Sequence, residues 1–219
     1  MNMQHKGFLG SPIGLGAGER FADRMKRINE ARLDEGALLT MNWRISAANV
    51  PWFALRVWTG REKAVETTLD GMGIRCLVPM RKGPDLRRRH RVIEGAMMPV
   101  IHGYVLVQML PFADYLAGLQ GVDHAIDVLG GCEKPMRISS AEVSRFNALA
   151  QCGAYDWERP VDLSLEQGEQ VFITAGPFTG LHAIVATASK KGRGDVVVVI
   201  RFMGGEVPLT VPLALLRKL

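Results

Sequence analysis

Apolar and polar positions change their spacing several times along the chain, and each change marks a predicted element. The apolar run at residues 52–58 predicts a strand, and residues 60–71 have apolar positions at helical spacing. This mixed order predicts an α/β sandwich, an antiparallel sheet with flanking helices that leaves one face or edge free for a partner. Further strands are predicted at residues 74–80, 103–109 and 122–128, and further helices at residues 113–120 and 139–149.

Past residue 164 the pattern changes to short β-branched runs separated by Gly-Pro or Gly-Gly turns. These runs predict a small all-β barrel over residues 164–219, so the fold class is α+β. Val196–Ile200 is so apolar that it predicts a central strand covered on both faces. The other predicted parts are a flexible N-terminal extension at residues 1–48 with one helix at 18–35, a first domain at residues 49–152 and a linker at residues 153–163.

Composition places the chain among folded proteins. It has 219 residues, of which 47% are hydrophobic and 22% charged. The charge-free stretch at residues 95–113 is broken by prolines and a glycine, and residues 1–18 lack the pattern of a secretory signal, so we expect a cytoplasmic protein without a membrane segment. Because Cys76, Cys132 and Cys152 are far apart and the histidines are scattered, we expect reduced, buried cysteines, no metal and no cofactor.

Positive charge is concentrated in residues 81–91. This segment has six basic residues against one aspartate, a net charge of +5, which equals the formal charge of the whole chain. A solvated loop would explain such a run, but a polyanion that releases counterions on contact is its natural partner. No aromatic residue interrupts the run, which favours contact with a phosphate backbone over base stacking. The basic residues are Arg81, Lys82, Arg87, Arg88, Arg89 and Arg91.

Several short motifs together resemble the NusG family of transcription elongation factors, and in particular its RfaH-like paralogues. The resemblance covers residues 50–219. In the second domain it rests on Gly176-Pro177-Phe178-x-Gly180 beside Ala183–Val185, which is typical of a KOW barrel. In the first domain, of the NGN type, it rests on Trp52-Phe53, Gly60-Arg61-Glu62-Lys63, residues 76–80, residues 103–109 and Gly130-Gly131-x-x-Lys134-Pro135-Met136.

This resemblance implies a function and a set of site residues. The first domain would bind the clamp helices of the largest RNA polymerase subunit and suppress pausing or termination. The basic segment, with Arg61 and Lys63, would contact the backbone of upstream or non-template DNA. The barrel of a monomeric protein would recruit ribosomal protein S10 or Rho, through the KOW turn and Phe202. The polymerase-binding residues would be Trp52, Phe53, Ile101, Tyr104 and Leu106, and the KOW turn residues are Gly176, Pro177, Phe178 and Gly180.

Two other classes of function compete with this interpretation. An enzyme is disfavoured because the sequence lacks a nucleophile elbow, a paired-carboxylate motif, metal-ligand spacing and a phosphate loop. The alternative is a KOW-type RNA-binding protein associated with ribosomes or RNA and without polymerase docking. The strand at residues 103–109, which begins with an aromatic residue, favours the elongation factor because RNA binding alone does not need it.

Overall fold

Two antiparallel sheets organise the chain, in a computed structural model that describes residues 15–46, 50–88, 91–188, 192–202 and 205–219. The side chains of residues 15–20 and 43–46 are not described. The predicted α+β fold class is confirmed.

The first part comprises α1 (Leu15–Ser46), β1 (Trp52–Val57), α2 (Glu62–Gly71), β2 (Cys76–Leu77), β3 (Met80–Lys82), β4 (Leu86–Arg88), β5 (Arg91–Ile93), β6 (Met97–Pro99), β7 (Tyr104–Gln108), α3 (Ala113–Leu119), β8 (Ala125–Val128) and α4 (Ser140–Gln151). The second part comprises β9 (Gln170–Ile173), β10 (His182–Val185), β11 (Asp195–Phe202), β12 (Gly205–Pro212), a 3-10 turn (Leu213–Leu215) and β13 (Leu216–Lys218).

The first sheet has four strands in the order β2-β7-β1-β8. Successive side chains of a strand point to opposite faces, so β1 and β7 supply residues to two apolar clusters. One cluster joins Phe53, Val105 and Val107 to apolar residues of α1, α2 and α3. The other joins Trp52 and Tyr104 to the second part of the chain. The sheet is therefore covered by α1, α2 and α3 on one face and by α4 and the barrel on the other.

Helix α1 is longer than predicted and packs along α3. Its buried Leu33 lies in the helix-covered cluster, and the backbone N–H of Leu110 donates to Thr40 Oγ1 at 3.0 Å. The helices approach closely because Gly118 leaves room: a Cβ added there would lie 3.1 Å from Leu33. The sequence predicted a helix only at residues 18–35, since Leu110, which donates to Thr40 in its second half, is 70 positions away.

The second sheet has five strands in the order β12-β11-β10-β9-β13. In β11, Val196, Val198 and Ile200 are buried whereas Val197 and Val199 are half-buried. The prediction of a central strand covered on both faces is therefore wrong: β10 is the middle strand, and β11 is covered on one face. The five β-branched residues suit a pleated surface, which needs only one buried side.

The three cysteines are free. Cys76 and Cys132 are half-buried, and burial raises the pKa of the Cys76 thiol to about 12. Cys152 is exposed, contrary to the expectation that all three would be buried, because it lies at the C-terminal cap of α4. Among the helices described, none is long and apolar enough to cross a membrane.

Candidate functional site

Four of the five residues predicted to bind a polymerase share one apolar cluster on one side of the first sheet. We call this the docking face and define it by Trp52, Ile101, Tyr104 and Leu106, all of which belong to one apolar cluster and are at most 7% exposed. Phe53, the fifth, is fully buried in the cluster on the helix-covered side. Its assignment to the docking face does not fit the structure, because a residue adjacent to Trp52 in a strand must point the opposite way.

The barrel covers the docking face through the loop at residues 174–180. The ring of Phe178 meets the ring of Tyr104 edge to face, with centroids 5.0 Å apart and planes at 83°. Burial raises the pKa of the Tyr104 phenol. Gly176 has a φ of +86°, and a Cβ there would lie 3.1 Å from the Phe146 ring. The KOW turn is thus seated between β7 and α4.

A buried carboxylate fixes the turn that precedes Tyr104. Glu62, at the start of α2, is 2% exposed, and its Oε1 accepts a hydrogen bond from the N–H of Gly103 at 2.7 Å. Gly103 has a φ of +80°, a conformation that glycine adopts without strain. Sequence analysis noted Glu62 only as part of a motif and missed this positioning role.

Arg81 is an interdomain contact rather than part of an exposed basic surface. Its side chain is fully buried, and its Nη2 donates to both carboxylate oxygens of Asp195 at 2.6 Å, while Nη1 donates to the Tyr155 carbonyl at 3.2 Å. In this conformation it has no access to phosphate, which corrects its inclusion among the nucleic-acid-binding residues. Gly83-Pro84-Asp85 separates it from the other arginines, a signal that could have set it apart.

The linker forms hydrogen bonds with the first part beside this ion pair. The backbone N–H of Lys82 donates to Asp156 Oδ1 at 2.9 Å, and the N–H of Trp157 donates to the Lys82 carbonyl at 3.0 Å. The Arg81 guanidinium lies 5.7 Å from the centroid of the Trp157 ring. We call the contacts of Arg81 with Asp195, Tyr155 and Trp157 the latch. Among the described residues, Arg81 Nε and the Tyr155 hydroxyl have no hydrogen-bond partner.

The remaining described arginines of the basic segment project on a hairpin formed by β4 and β5. Arg87, Arg88 and Arg91 are exposed, and Arg88 lies directly opposite Arg91. Like charges facing each other across two strands destabilise the pair, and a polyanion would remove that cost. We call these three residues the basic hairpin. Arg89, also predicted to bind nucleic acid, lies outside the described residues.

Two glycines lie at the base of the hairpin, where its two ends come close together. The N–H of Gly83 donates to the Ala96 carbonyl at 2.9 Å, and the N–H of Gly95 donates to Asp85 Oδ1 at 2.9 Å. A Cβ at Gly95 would lie only 2.0 Å from the Gly83 carbonyl oxygen. Asp85, the one acidic residue of the segment, therefore forms a hydrogen bond with the backbone at the base of the hairpin rather than with the arginines at the tip.

Other predicted basic residues lie near the base of the hairpin. Arg61 and Lys63 are exposed at the start of α2, and Lys63 Nζ pairs with Glu66 Oε2 at 2.5 Å. Lys63 and Lys82 line the same open cavity of about 720 Å³. Lys82 is half-buried and pairs with exposed Glu94 at 3.4 Å, a contact that contributes little in water. The structure thus brings α2 and the hairpin base to one surface.

The predicted KOW residues separate into two groups. Pro177 and Phe178 are buried where the barrel meets the first part, and Gly180, with a φ of +88°, closes the turn. Phe202 is half-buried at the end of β11, where it pairs with Gly205 and packs against the cluster that contains the docking face. Met203 and Gly204, the tip of its loop, lie outside the described residues.

No group of three or more His, Cys, Asp or Glu residues suited to a metal ion occurs in the described ranges.

Comparisons with known proteins found one family model and several solved structures that are similar to this chain. The family model described as "Transcription termination factor nusG" matches residues 50–147. Among solved structures, Thermotoga maritima NusG is similar with 20% identity, covering 77% of this chain and 97% of that chain at a TM-score of 0.38. Conformations A and B of the MjSpt4:Spt5 complex are similar with 19% identity, covering 77% of this chain and 97% and 96% of those chains at a TM-score of 0.25. No curated protein matches the chain. Residues 50–147 are therefore similar to the NusG family.

Proposed function

We propose that the protein is a non-enzymatic transcription elongation factor, and that the structure is its closed form. In the open form the docking face would bind the clamp helices of RNA polymerase and suppress pausing or termination, as a specialised paralogue does. The observation that carries the proposal is an aromatic, apolar sheet face within a domain similar to the NusG family, covered by a separate part of the chain.

The chemistry of the docking face suits a surface that changes partner. Trp52, Tyr104 and Leu106 offer a large apolar area, and the phenol of Tyr104 tolerates water when the face is uncovered. The cover is joined to the first part by the linker and by the latch, whose ion pair is buried. Burying two charges costs free energy that their attraction only partly returns, so the closed form need not be strongly favoured.

The other surfaces are assigned by their charge and exposure. The basic hairpin contacts the DNA backbone beside the polymerase, together with Arg61 and Lys63 at its base. Once the barrel is released, the KOW turn and Phe202 become available to a second protein, for which ribosomal protein S10 and Rho are the two candidates. Closing the molecule hides the turn and the docking face together, because Phe178 covers Tyr104.

Polymerase binding by variants tests the docking face. Tyr104→Ala should abolish capture of the protein by core RNA polymerase after nuclease treatment, because it removes the aromatic centre of the face. Tyr115→Ala is a matched control, since Tyr115 is a half-buried tyrosine on α3. Equal capture of both variants would refute the assignment, and capture that nuclease abolishes would favour an RNA-binding protein instead.

The salt dependence of DNA binding tests the hairpin. Replacing Arg87, Arg88 and Arg91 with alanine should flatten the slope of log affinity against log salt by about 2.7, at roughly 0.9 per lost phosphate contact on duplex DNA. Replacing three exposed basic residues elsewhere, Arg24, Lys26 and Arg27 of α1, is the control. An unchanged slope in the hairpin variant would mean that the hairpin is only solvated.

A further inference from the structure

Helix α1 has one face buried against α3 and a second face that is exposed. Leu33, Gly36 and Thr40 are buried, and a Cβ added at Gly36 would lie 2.9 Å from Tyr115 of α3. Beside them, a row of side chains follows the exposed side of α1 in alternating steps of four and three residues. We call this row the α1 seam, and it consists of Phe21, Met25, Ile28, Arg32, Glu35 and Leu39.

The spacing of the α1 seam is that of a coiled-coil contact. Alternating steps of four and three residues average about 3.5 residues per turn, so the seam stays on one side of the helix over about 27 Å. Its four apolar side chains are between 36% and 68% exposed, and Phe21 is the most exposed of them. The described residues of this chain therefore leave the seam uncovered, and a second helix is the partner that its spacing fits.

An open groove between α1 and α3 extends the seam at its C-terminal end. The groove has a volume of about 480 Å³ and is bordered by Leu39 and Phe112. Phe112, which precedes α3, is 55% exposed, and its ring meets the Tyr115 ring edge to face with centroids 5.5 Å apart. A side chain from a helix paired with the seam would therefore find an apolar place beside Leu39.

Two opposite charges occupy the middle of the seam. Arg32 Nη2 lies 3.2 Å from Asp114 Oδ1 of α3, but the Asp114 side chain is 74% exposed, and such a pair contributes little in water. Glu35 is exposed and interacts with the Tyr115 hydroxyl. A guanidinium has five donors and a carboxylate about four acceptor sites, so each group retains capacity for a partner from another helix.

The order of charged and apolar residues along the seam selects a second copy of this chain. An antiparallel second helix can place its Leu39 opposite Ile28. The same register places Glu35 of the second helix opposite Arg32, because both pairs are centred on the same point of α1, and a two-fold axis repeats each contact. A parallel pair would instead place each charge opposite its own copy, which is repulsive. We infer that the α1 seam is a dimer interface, in which two copies of the chain pair as antiparallel helices.

This interface leaves the other proposed sites free. Helix α1 lies on the helix-covered side of the first sheet, whereas the docking face lies on the opposite side. The match to the family model starts at residue 50, so the expectation of a monomer, which came with the family resemblance, does not extend to α1. Self-association through α1 is therefore independent of the proposed polymerase binding.

Sedimentation equilibrium of the full chain tests the dimer. At loading concentrations from about 1 to about 200 µM, the average mass should rise from 24.1 kDa towards twice that value. Ile28→Asn should weaken the dimer roughly tenfold or more, because the symmetric pair loses two contacts with Leu39. Met41→Asn is the matched control, since Met41 is 55% exposed but lies on the other side of α1. Circular dichroism checks that both variants retain their helices.

Charge reversal tests the orientation of the two helices. Arg32→Glu and Glu35→Arg should each weaken self-association roughly tenfold or more, because each places like charges opposite one another. An equimolar mixture of these two variants should form dimers, since every facing pair then has opposite charges. The double variant, Arg32→Glu with Glu35→Arg, should also form dimers if the helices are antiparallel, whereas in parallel helices it keeps like charges opposite one another.

Each of these measurements can overturn the proposal. A mass of 24.1 kDa at every concentration would exclude self-association and leave the seam to a different protein. Equal weakening by Ile28→Asn and Met41→Asn would place the dimer contact elsewhere. A mixture of the two charge variants that stays monomeric would exclude the Arg32–Glu35 pairs, and a monomeric double variant would exclude the antiparallel orientation. Because polymerase is absent from these assays, none of the outcomes depends on the proposed function.

Discussion

The two faces of the first sheet are about equally buried but are covered in different ways. Phe53, Val105 and Val107 lie under helices of the same domain, joined to the strands by short connections. Trp52, Tyr104 and Leu106 share a cluster with α4 and the barrel, and the barrel contacts the first part through the Tyr104–Phe178 pair, the Arg145–Thr174 hydrogen bond, the latch and the linker. Burial on the first face accompanies folding, and in the proposed closed–open equilibrium burial on the second face is lost when the barrel is released.

The comparison shows that low exposure alone does not tell whether an apolar cluster lies within one part of the chain or between two parts. The contacts at the edge of each cluster make that distinction. The barrel-covered cluster is bordered by a buried ion pair and by a phenol without a partner among the described residues, whereas the helix-covered cluster is bordered by the satisfied hydrogen bond from the Leu110 N–H to Thr40 Oγ1. Polar groups buried at such a border lower the cost of separation, because water satisfies them once the parts move apart.

The largest expected effect comes from a substitution on the helix-covered face of the first sheet. Phe53→Ala should lower the free energy of unfolding by about 3–5 kcal/mol, because a fully buried phenylalanine leaves a cavity among rigid neighbours. Urea unfolding followed by tryptophan fluorescence measures the loss. If Tyr104→Ala shifted the same transition as far, the two faces would not differ in the way described.

The next effect concerns the latch. Arg81→Met should shift the closed–open equilibrium by about 3 kcal/mol, the lower end for a broken buried ion pair, since the Asp195 side chain is 11% exposed. Adding Asp195→Leu should restore much of the closed form, because an apolar pair replaces the ionic one. Protease cleavage within residues 153–163 reports opening. Cleavage that is equally slow in Arg81→Met and the unaltered protein would show that the latch does not hold the barrel.

High pH should also shift the closed–open equilibrium towards the open form, by less than the Arg81 substitution does. Burial raises the pKa of Tyr104 above its ordinary value of 10.0 and that of Tyr155 to about 12. The closed form therefore retains these phenolic protons more tightly than the open form. The stabilisation is complete below pH 10 and is lost as the pH rises towards 12. Cleavage of the linker across this range, compared with a Tyr104→Phe and Tyr155→Phe variant that lacks the dependence, checks the prediction; opening that begins below pH 10 would contradict it.

The smallest expected effect tests how α4 supports the cover. Ser139 caps α4: its Oγ accepts from the Glu142 N–H at 3.1 Å. Ser139→Ala should cost about 1 kcal/mol and loosen the helix that presents Arg145 and Phe146 to the barrel. Thermal unfolding measures the cost, and Ser140→Ala, inside the helix, is the matched control. Equal losses in both variants would mean that the cap contributes nothing.

Local pattern was enough to predict the strands of the first sheet and helices α2, α3 and α4, but not β4, β5, β6 or the second half of α1. Alternation along β7 placed Tyr104 and Leu106 on one side, and the same rule applied to β1 would have removed Phe53 from the site. Arg81 could not be distinguished by counting charges, because its partner Asp195 is 114 positions away. Likewise, the half-exposed valines of β11 depend on what covers the barrel, which a run of β-branched residues does not encode.

The central claim is that the docking face binds RNA polymerase and that the barrel conceals it. Affinity for core RNA polymerase, measured without nucleic acid for the unaltered chain and for Arg81→Met, tests it most directly. We predict at least tenfold tighter binding by Arg81→Met, because the apparent affinity is reduced by the fraction of closed molecules, and loss of that binding when Tyr104→Ala is added. Equal affinity of the two proteins, or no binding by the opened variant, would contradict the account.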